Sequence, residues 1–274
     1  MNDARFAIVQ RSLDVPEVGK LKRAFRAVKG LTPSDAHTLA NDAFGILVKN
    51  LDITDAMALK VALQSEDIDT AVVMENDLPE LPPIKFVRQV DCRPEHLMVC
   101  DPIGREVPVQ WGHVILIAAG NVRSTVFETQ KQAPPQRQWY DSLLGEQFGI
   151  RPGGVFPPAT PFPHSPPPTE SVTREVQVQR LLLEVILTRA SMRFQIEAEK
   201  FRFNYLGDRM VADVAANFMT LARDLMTFAP QALVNRGAFH LREDSPTLFE
   251  YPSKNAFYEE ITWMLWRAKS ATPD

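Results

Sequence analysis

The stretch that decides the fold runs from residue 21 to residue 73: LKRAFRAVKGLTPSDAHTLANDAFGILVKNLDITDAMALKVALQSEDIDTAVV. Its apolar positions switch between helical and strand spacing. Leu21, Phe25 and Val28, with Val18 just before them, recur at three- and four-residue intervals, the buried stripe of a helix that Gly30 ends. Thr32-Pro33-Ser34-Asp35 opens a second helix with Ala36, Leu39, Ala40 and Ala43 on its apolar side, since proline lacks only an N–H that a first turn leaves unbonded anyway. Gly45-Ile46-Leu47-Val48 reads as a strand. Thr54 and Asp55 can cap a third helix carrying Ala56, Leu59, Val61, Ala62 and Leu63, and Ile68 to Met74 reads as another strand. Upstream, RFAIVQ at 5–10 supplies the remaining strand, giving a βααβαβ order and predicting a split sandwich with its helices on one sheet.

The same string resembles the C-terminal domain of the bacterial ribosomal stalk protein. Arg26, Gly30-Leu31, Ala36, Leu39, Val48-Lys49, Ala56, Leu59-Lys60 and Leu63 fall on that family's pattern, with spacing one residue longer before Val48 and one shorter after it. The resemblance implies the α+β fold for residues 1–77. It also implies a basic recruiting face on the first helix, where Arg23 and Arg26 stand at positions basic in the family. Lys22 stands where the family has an apolar contact residue, and His37 where a lysine is usual.

Read from the residues alone, Lys20, Lys22, Arg23, Arg26 and Lys29 place five positive charges on the non-core arc of one helix, although the whole chain carries a net charge of −4. Such local segregation has two readings, a solvated helix face or a docking face for an acidic protein surface. These five are the candidate partner-binding residues.

Leu78-Pro79-Glu80-Leu81-Pro82-Pro83 is too rich in proline to continue a helix or central strand, so 78–84 is expected to be a linker between residues 1–77 and a second domain at 85–274. Phe86–Val90, Leu97–Cys100, Glu106–Gln110 and His113–Ala119 then suggest an antiparallel meander with turns at Asp101–Gly104 and Trp111-Gly112. DPIGREVPVQWGHVILIAAG at 101–120 is similar to the strand-turn-strand of bacterial pleckstrin-homology-like domains.

Ten of the 22 prolines crowd into 131–170, an insertion too long for an ordinary connection, where Trp139, Tyr140, Leu143, Leu144 and Phe148 keep helical spacing. Beyond it, Gln179–Thr188 and Met192–Ala198 read as strands. The second alternates Met192, Phe194, Ile196 and Ala198 with Arg193, Gln195, Glu197 and Glu199, which predicts one buried and one solvated face. Phe201, Phe203 and Tyr205 shift parity by one, suggesting a turn near Lys200 and a further strand. Val211 to Leu225 marks a helix ending at Pro230, and a last helix runs from about Ser253 to Lys269. The second domain is thus expected to be a mostly antiparallel β-sheet packed with C-terminal helices.

Cys92, His96, Cys100 and His113 are the residue types that hold zinc, but the cysteines lie eight apart without a C-x2-4-C knuckle, so no metal is expected. The chain has no G-x-x-x-x-G-K-[ST], G-x-G-x-x-G, G-x-S-x-G or H-E-x-x-H, which lowers the expectation of an enzyme and names no cofactor. The net charge of −4 disfavours nucleic acid. No apolar run approaches the ~20 residues that span a bilayer, and two cysteines suit the cytoplasm. The expectation is a non-catalytic protein-interaction or scaffold protein with an acidic protein partner. The alternative is a hydrolase or metal enzyme whose site assembles from scattered residues of the second domain.

Overall fold

The computed structural model describes residues 4–12, 14–42, 44–101, 103–131, 171–188, 192–243 and 247–271. The chain divides into two compact units, one of residues 1–124 with 178–274, the other Thr125–Gln177. The fold is α+β.

The first unit begins with β1 (Phe6–Gln10), α1 (Val18–Phe25), α2 (Pro33–Asp42), β2 (Ile46–Leu51), α3 (Ile53–Ser65) and β3 (Thr70–Met74), the expected βααβαβ order. The three strands pair antiparallel in the order β2-β1-β3. Thr32 and Asp35 open α2 by bonding reciprocally: the Asp35 carboxylate accepts from Thr32 N (2.6 Å) and the Thr32 hydroxyl accepts from Asp35 N (3.2 Å). The N-cap of α3 is Asp52, which accepts from Asp55 N at 2.8 Å, rather than Thr54 or Asp55. The first helix ends at Phe25, before Val28, because Arg26–Val28 tighten into i→i−3 bonds.

Helices do not lie on one face only. Ile8, Leu21, Phe25, Leu47, Leu59 and Leu63 form the core under α1–α3, whereas Ala7, Val9 and Ile46 point through the sheet into a second core. That second core is filled by the last helix, α6 (Lys254–Ala271), whose Ser253 cap accepts from Ala256 N at 3.0 Å. The Trp263 indole N–H donates to Gln10 O at 2.7 Å, and Lys49 pairs with Glu259 at 2.8 Å. Gly45, at φ +90, is required beneath that indole: a Cβ would stand 2.3 Å from Trp263 Cγ.

The larger sheet takes strands from both sides of the proline-rich insertion. It comprises β4 (Ile84–Phe86), β8 (Val114–Lys131), β9 (Ser171–Leu187), β10 (Arg193–Glu197), β11 (Leu233–Val234) and β12 (Glu250–Tyr251), with the path β11-β8-β9-β10-β4 and β12 beside β8. A separate antiparallel sheet holds β5 (Gln89–Cys92), β6 (His96–Cys100) and β7 (Glu106–Gln110). The expected four-strand meander is therefore split. Phe86–Val90 divides between two sheets, β4 pairs parallel with β10, and His113–Ala119 joins the larger sheet as β8 after a 3-10 turn at Trp111–His113.

One face of the larger sheet, through Leu116, Ala118, Leu182 and Ile186, packs on α6, so this helix lies between the N-terminal sheet and the larger sheet. The other face, through Ile117, Leu183, Val185 and Ile196, packs with the small sheet and with α4 (Val214–Phe228), which starts at an Asp213 cap that accepts from Ala215 N at 2.9 Å. The strand expected at Phe201–Tyr205 is irregular chain with 3-10 turns at Ala198–Lys200 and Asn204–Arg209. Phe201 and Phe203 still enter the core, and the turns absorb the parity shift. α5 (Arg236–Arg242) is capped by Asn235, which accepts from Ala238 N at 2.9 Å.

The second unit, Thr125–Gln177, includes the last residues of β8 and the first of β9. Residues 132–170, with most of the expected insertion and its Trp139, Tyr140, Leu143, Leu144 and Phe148, lie outside the described residues. No described helix is long and apolar enough to cross a membrane.

Candidate functional site

A largely apolar cleft of about 380 Å³ opens between the two sheets of the larger core. Val87, Val99 and Phe194 form its buried floor. Phe86 (50% exposed) and Val107 (38%) form its lips. The cleft lies at a short sheet edge: β4 pairs with β10 over three residues, and among the described residues no further strand extends the sheet beyond it. No described strand pairs with the other side of β4, or with the other side of β7, but the two edges differ. β7 carries Pro108, which removes a main-chain donor, whereas β4 has no proline. At the rim Asp101 and Arg105 pair at 2.7 Å, and the Asp101 carboxylate is held below its usual range by the Arg105 and Ile103 backbone N–H groups and by the Arg105 guanidinium. Lys85 Nζ lies 3.2 Å from the Met192 sulfur and makes no ion pair among the described residues.

The more deeply set carboxylates lie elsewhere, each in a cluster with its own donors. In the first, Glu184 on β9 accepts from Arg193 Nε (2.6 Å), Arg193 Nη2 (2.9 Å) and Gln195 Nε2 (2.5 Å). The Gln195 amide also donates to the Tyr258 hydroxyl at 2.9 Å, and Arg193 stacks on the Tyr258 ring at 4.2 Å. Burial pushes the Glu184 carboxyl up, and its donors pull it only part of the way back. Here the expected solvated face of β10 is corrected: Arg193, Gln195 and Glu197 are buried, because α6 covers that face and supplies Tyr258. Glu197 is held by Lys200 at 2.6 Å and Arg180 at 3.6 Å.

In the second cluster, Tyr251 donates to Glu260 (2.6 Å) and accepts from Asn235 (2.7 Å), while Arg236 N donates to Glu260 (2.9 Å). In the third, Asp224 accepts from Tyr205 (3.0 Å) and from both terminal nitrogens of Arg209 (3.0 and 2.8 Å). Cys92 lies beside it, and burial together with the Asp224 and Asp91 charges pushes its thiol up to about 12. That thiol stays protonated at neutral pH and is a poor nucleophile.

The four zinc-type residues of the sequence are separated. Cys92 pairs with Leu97 on the core face of the small sheet, while His96 and Cys100 fall on the opposite face by strand alternation. His113 lies in the turn before β8, and among the described residues no three His, Cys, Asp or Glu side chains gather as a metal site.

The five basic residues also divide. Arg23 is bidentate to Glu66 at 2.8 and 2.6 Å, and Lys20 stands 3.7 Å from Asp67. Lys22 on α1, and Arg26 and Lys29 beyond its end, are exposed and make no ion pair among the described residues. The cleft was missed in the sequence because its walls come from four strands between Lys85 and Phe194; the only local signal was a three-residue strand after a proline run.

No family model, curated protein or solved structure matches the chain.

Proposed function

We propose that the protein is a non-catalytic protein-binding module that takes an extended segment of a partner along β4. The observation that carries this reading is the open edge of β4 beside an apolar cleft with exposed Phe86 and Val107. An edge strand offers unpaired main-chain groups to a strand of another chain, and alternating pockets beside it select side chains. The occupant is a strand with aliphatic residues on one face and an acidic residue to meet Lys85, the rim charge without an ionic partner among the described residues. Lys22, Arg26 and Lys29 give the same acidic partner a second contact, while Arg23 and Lys20 are already engaged internally.

An enzymatic reading is less well supported, since the buried carboxylates are already taken up by internal donors and the cleft floor is apolar.

The test places a photoreactive phenylalanine analogue at Phe86 and maps what it captures in native lysate. One short segment, apolar and acidic, lost in Lys85→Glu and Val107→Asp variants of unchanged thermal stability, is the expected result. Capture scattered over unrelated sequences, or indifferent to both substitutions, would overturn the reading.

A further inference from the structure

A second cavity, also of about 380 Å³, lies where the N-terminal sheet's loops meet the β12 segment and shares no lining residue with the apolar cleft. Phe44, from the loop before β2, contributes one wall, and Phe249 and Tyr251 contribute another. Phe249 meets Phe44 edge-on at 6.1 Å and Tyr251 at 4.9 Å, and Phe44 and Tyr251 are 5.1 Å apart. Two guanidinium groups share this lining. Arg236 lies on the Phe44 ring at 4.8 Å, and Arg123 on β8 is exposed with no ion pair among the described residues. Glu250 is the single carboxylate of the lining.

The back of the cavity is preorganised. Tyr251, Asn235 and Glu260 are fully buried and bonded to one another, and the Arg236 backbone N–H is part of the same network. Tyr251 and Arg236 are thus held by groups behind the lining: the Glu260 carboxylate meets the Tyr251 hydroxyl, the Arg236 backbone N–H and, at 4.0 Å, the Arg236 Nε, so Arg236 is matched from behind and Arg123 brings the lining's excess positive charge. Asn121, beside Arg123, gives its amide N–H to Gln179 at 3.2 Å while its Oδ1 has no donor, so the lining has one acceptor still to satisfy.

We propose that this cavity binds a small anion with a flat apolar body, of the aryl carboxylate class. The carboxylate is taken by the Arg123 and Arg236 guanidinium groups, whose planar forks match its two oxygens. The flat body lies against Phe249, the partly exposed ring, which Phe44 and Tyr251 hold in place from behind and which favours an aromatic partner. An aromatic box without arginines would select an ammonium ion instead; here Arg236 already occupies the Phe44 face. The volume suits a small molecule, within the range of roughly 300–1,000 Å³ common for ligand sites.

The test titrates the full chain with 4-(trifluoromethyl)benzoate and follows the 19F signal, with 4-(trifluoromethyl)benzamide and inorganic phosphate as separate arms. A ligand of this size is expected to saturate with a dissociation constant on the order of 1 mM. The amide and phosphate should bind at least about 5-fold more weakly, and Arg123→Gln should weaken the carboxylate by about 10-fold or more, the worth of one charge-assisted hydrogen bond. Arg123 is exposed, so this variant keeps its fold, and Arg105→Gln at the other cleft should leave binding unchanged. No saturation up to about 20 mM, far above that constant, would overturn the proposal. So would equal binding of the amide, or indifference to Arg123→Gln.

Discussion

β1 and β10 are both five-residue strands flanked on each side by another strand, and both present one face to α6. They solve that burial in opposite ways. The α6-facing residues of β1 are Ala7 and Val9, which need nothing but contact. Those of β10 are Arg193 and Gln195, whose N–H groups need acceptors and find them in Glu184 and Tyr258. The difference teaches that polar alternation along a strand reports what the covering element must supply, and not whether water covers it. For β10 the cover is a helix bearing a hydroxyl, and the neighbouring strand bears the counter-charge.

The comparison is broken most directly at Arg193. Arg193→Ala leaves the Glu184 carboxylate buried without its main donor, and the expected loss is about 3–5 kcal/mol of unfolding free energy by urea titration. A loss under about 1 kcal/mol would mean that β10 is solvated after all. The sharper version replaces Glu184, Arg193 and Gln195 together by Leu, Met and Leu, making β10 resemble β1. That triple variant is expected to be as stable as the parent or more so, by up to about 4 kcal/mol.

On the β1 side the lock is steric. Gly45→Ala forces a methyl into the Trp263 ring at positive φ, with an expected cost of about 2–4 kcal/mol and a changed tryptophan emission. Unchanged melting would show that α6 does not seat against this sheet as described.

Cys92 tests a third solution, a polar group kept neutral. Its folded pKa is raised from 9.0 to about 12. The thiol therefore contributes stability that is complete below about pH 9 and lost as pH rises towards about 12. Between pH 9 and 10.5 the parent should lose about 1–2 kcal/mol more than Cys92→Ala, as compared by urea midpoints. Equal losses would place this thiol in contact with water.

The smallest effect is expected at Lys22, Arg26 and Lys29. Replacing all three by Glu should change stability by less than about 0.5 kcal/mol per site, because exposed charges without partners contribute little. A large fall in melting temperature would make them structural.

The first seventy residues were legible because each element there announces itself locally, by a cap at Thr32, a glycine at position 45 and changes of apolar period. β10 was legible as a strand but not as a buried one, since Glu184 lies nine residues from Arg193 and Tyr258 another 63 from Gln195. The cleft beside β4 was illegible for a related reason. Its walls are assembled by a parallel pairing of Ile84–Phe86 with Arg193–Gln195, and no local pattern encodes a parallel partner that far along the chain.

The hydrogen bond from Trp263 to Gln10 spans 253 residues, and it gives α6 a role in time as well as in space. At synthesis rates of about 5–20 residues per second, the α6-facing side of β1 waits roughly ten to fifty seconds before the helix that covers it has been made. During that interval Ala7, Val9 and Ile46 form an apolar surface awaiting a late cover, and a nascent chain halted before Lys254 would present it to whatever chaperone or neighbouring chain arrives first.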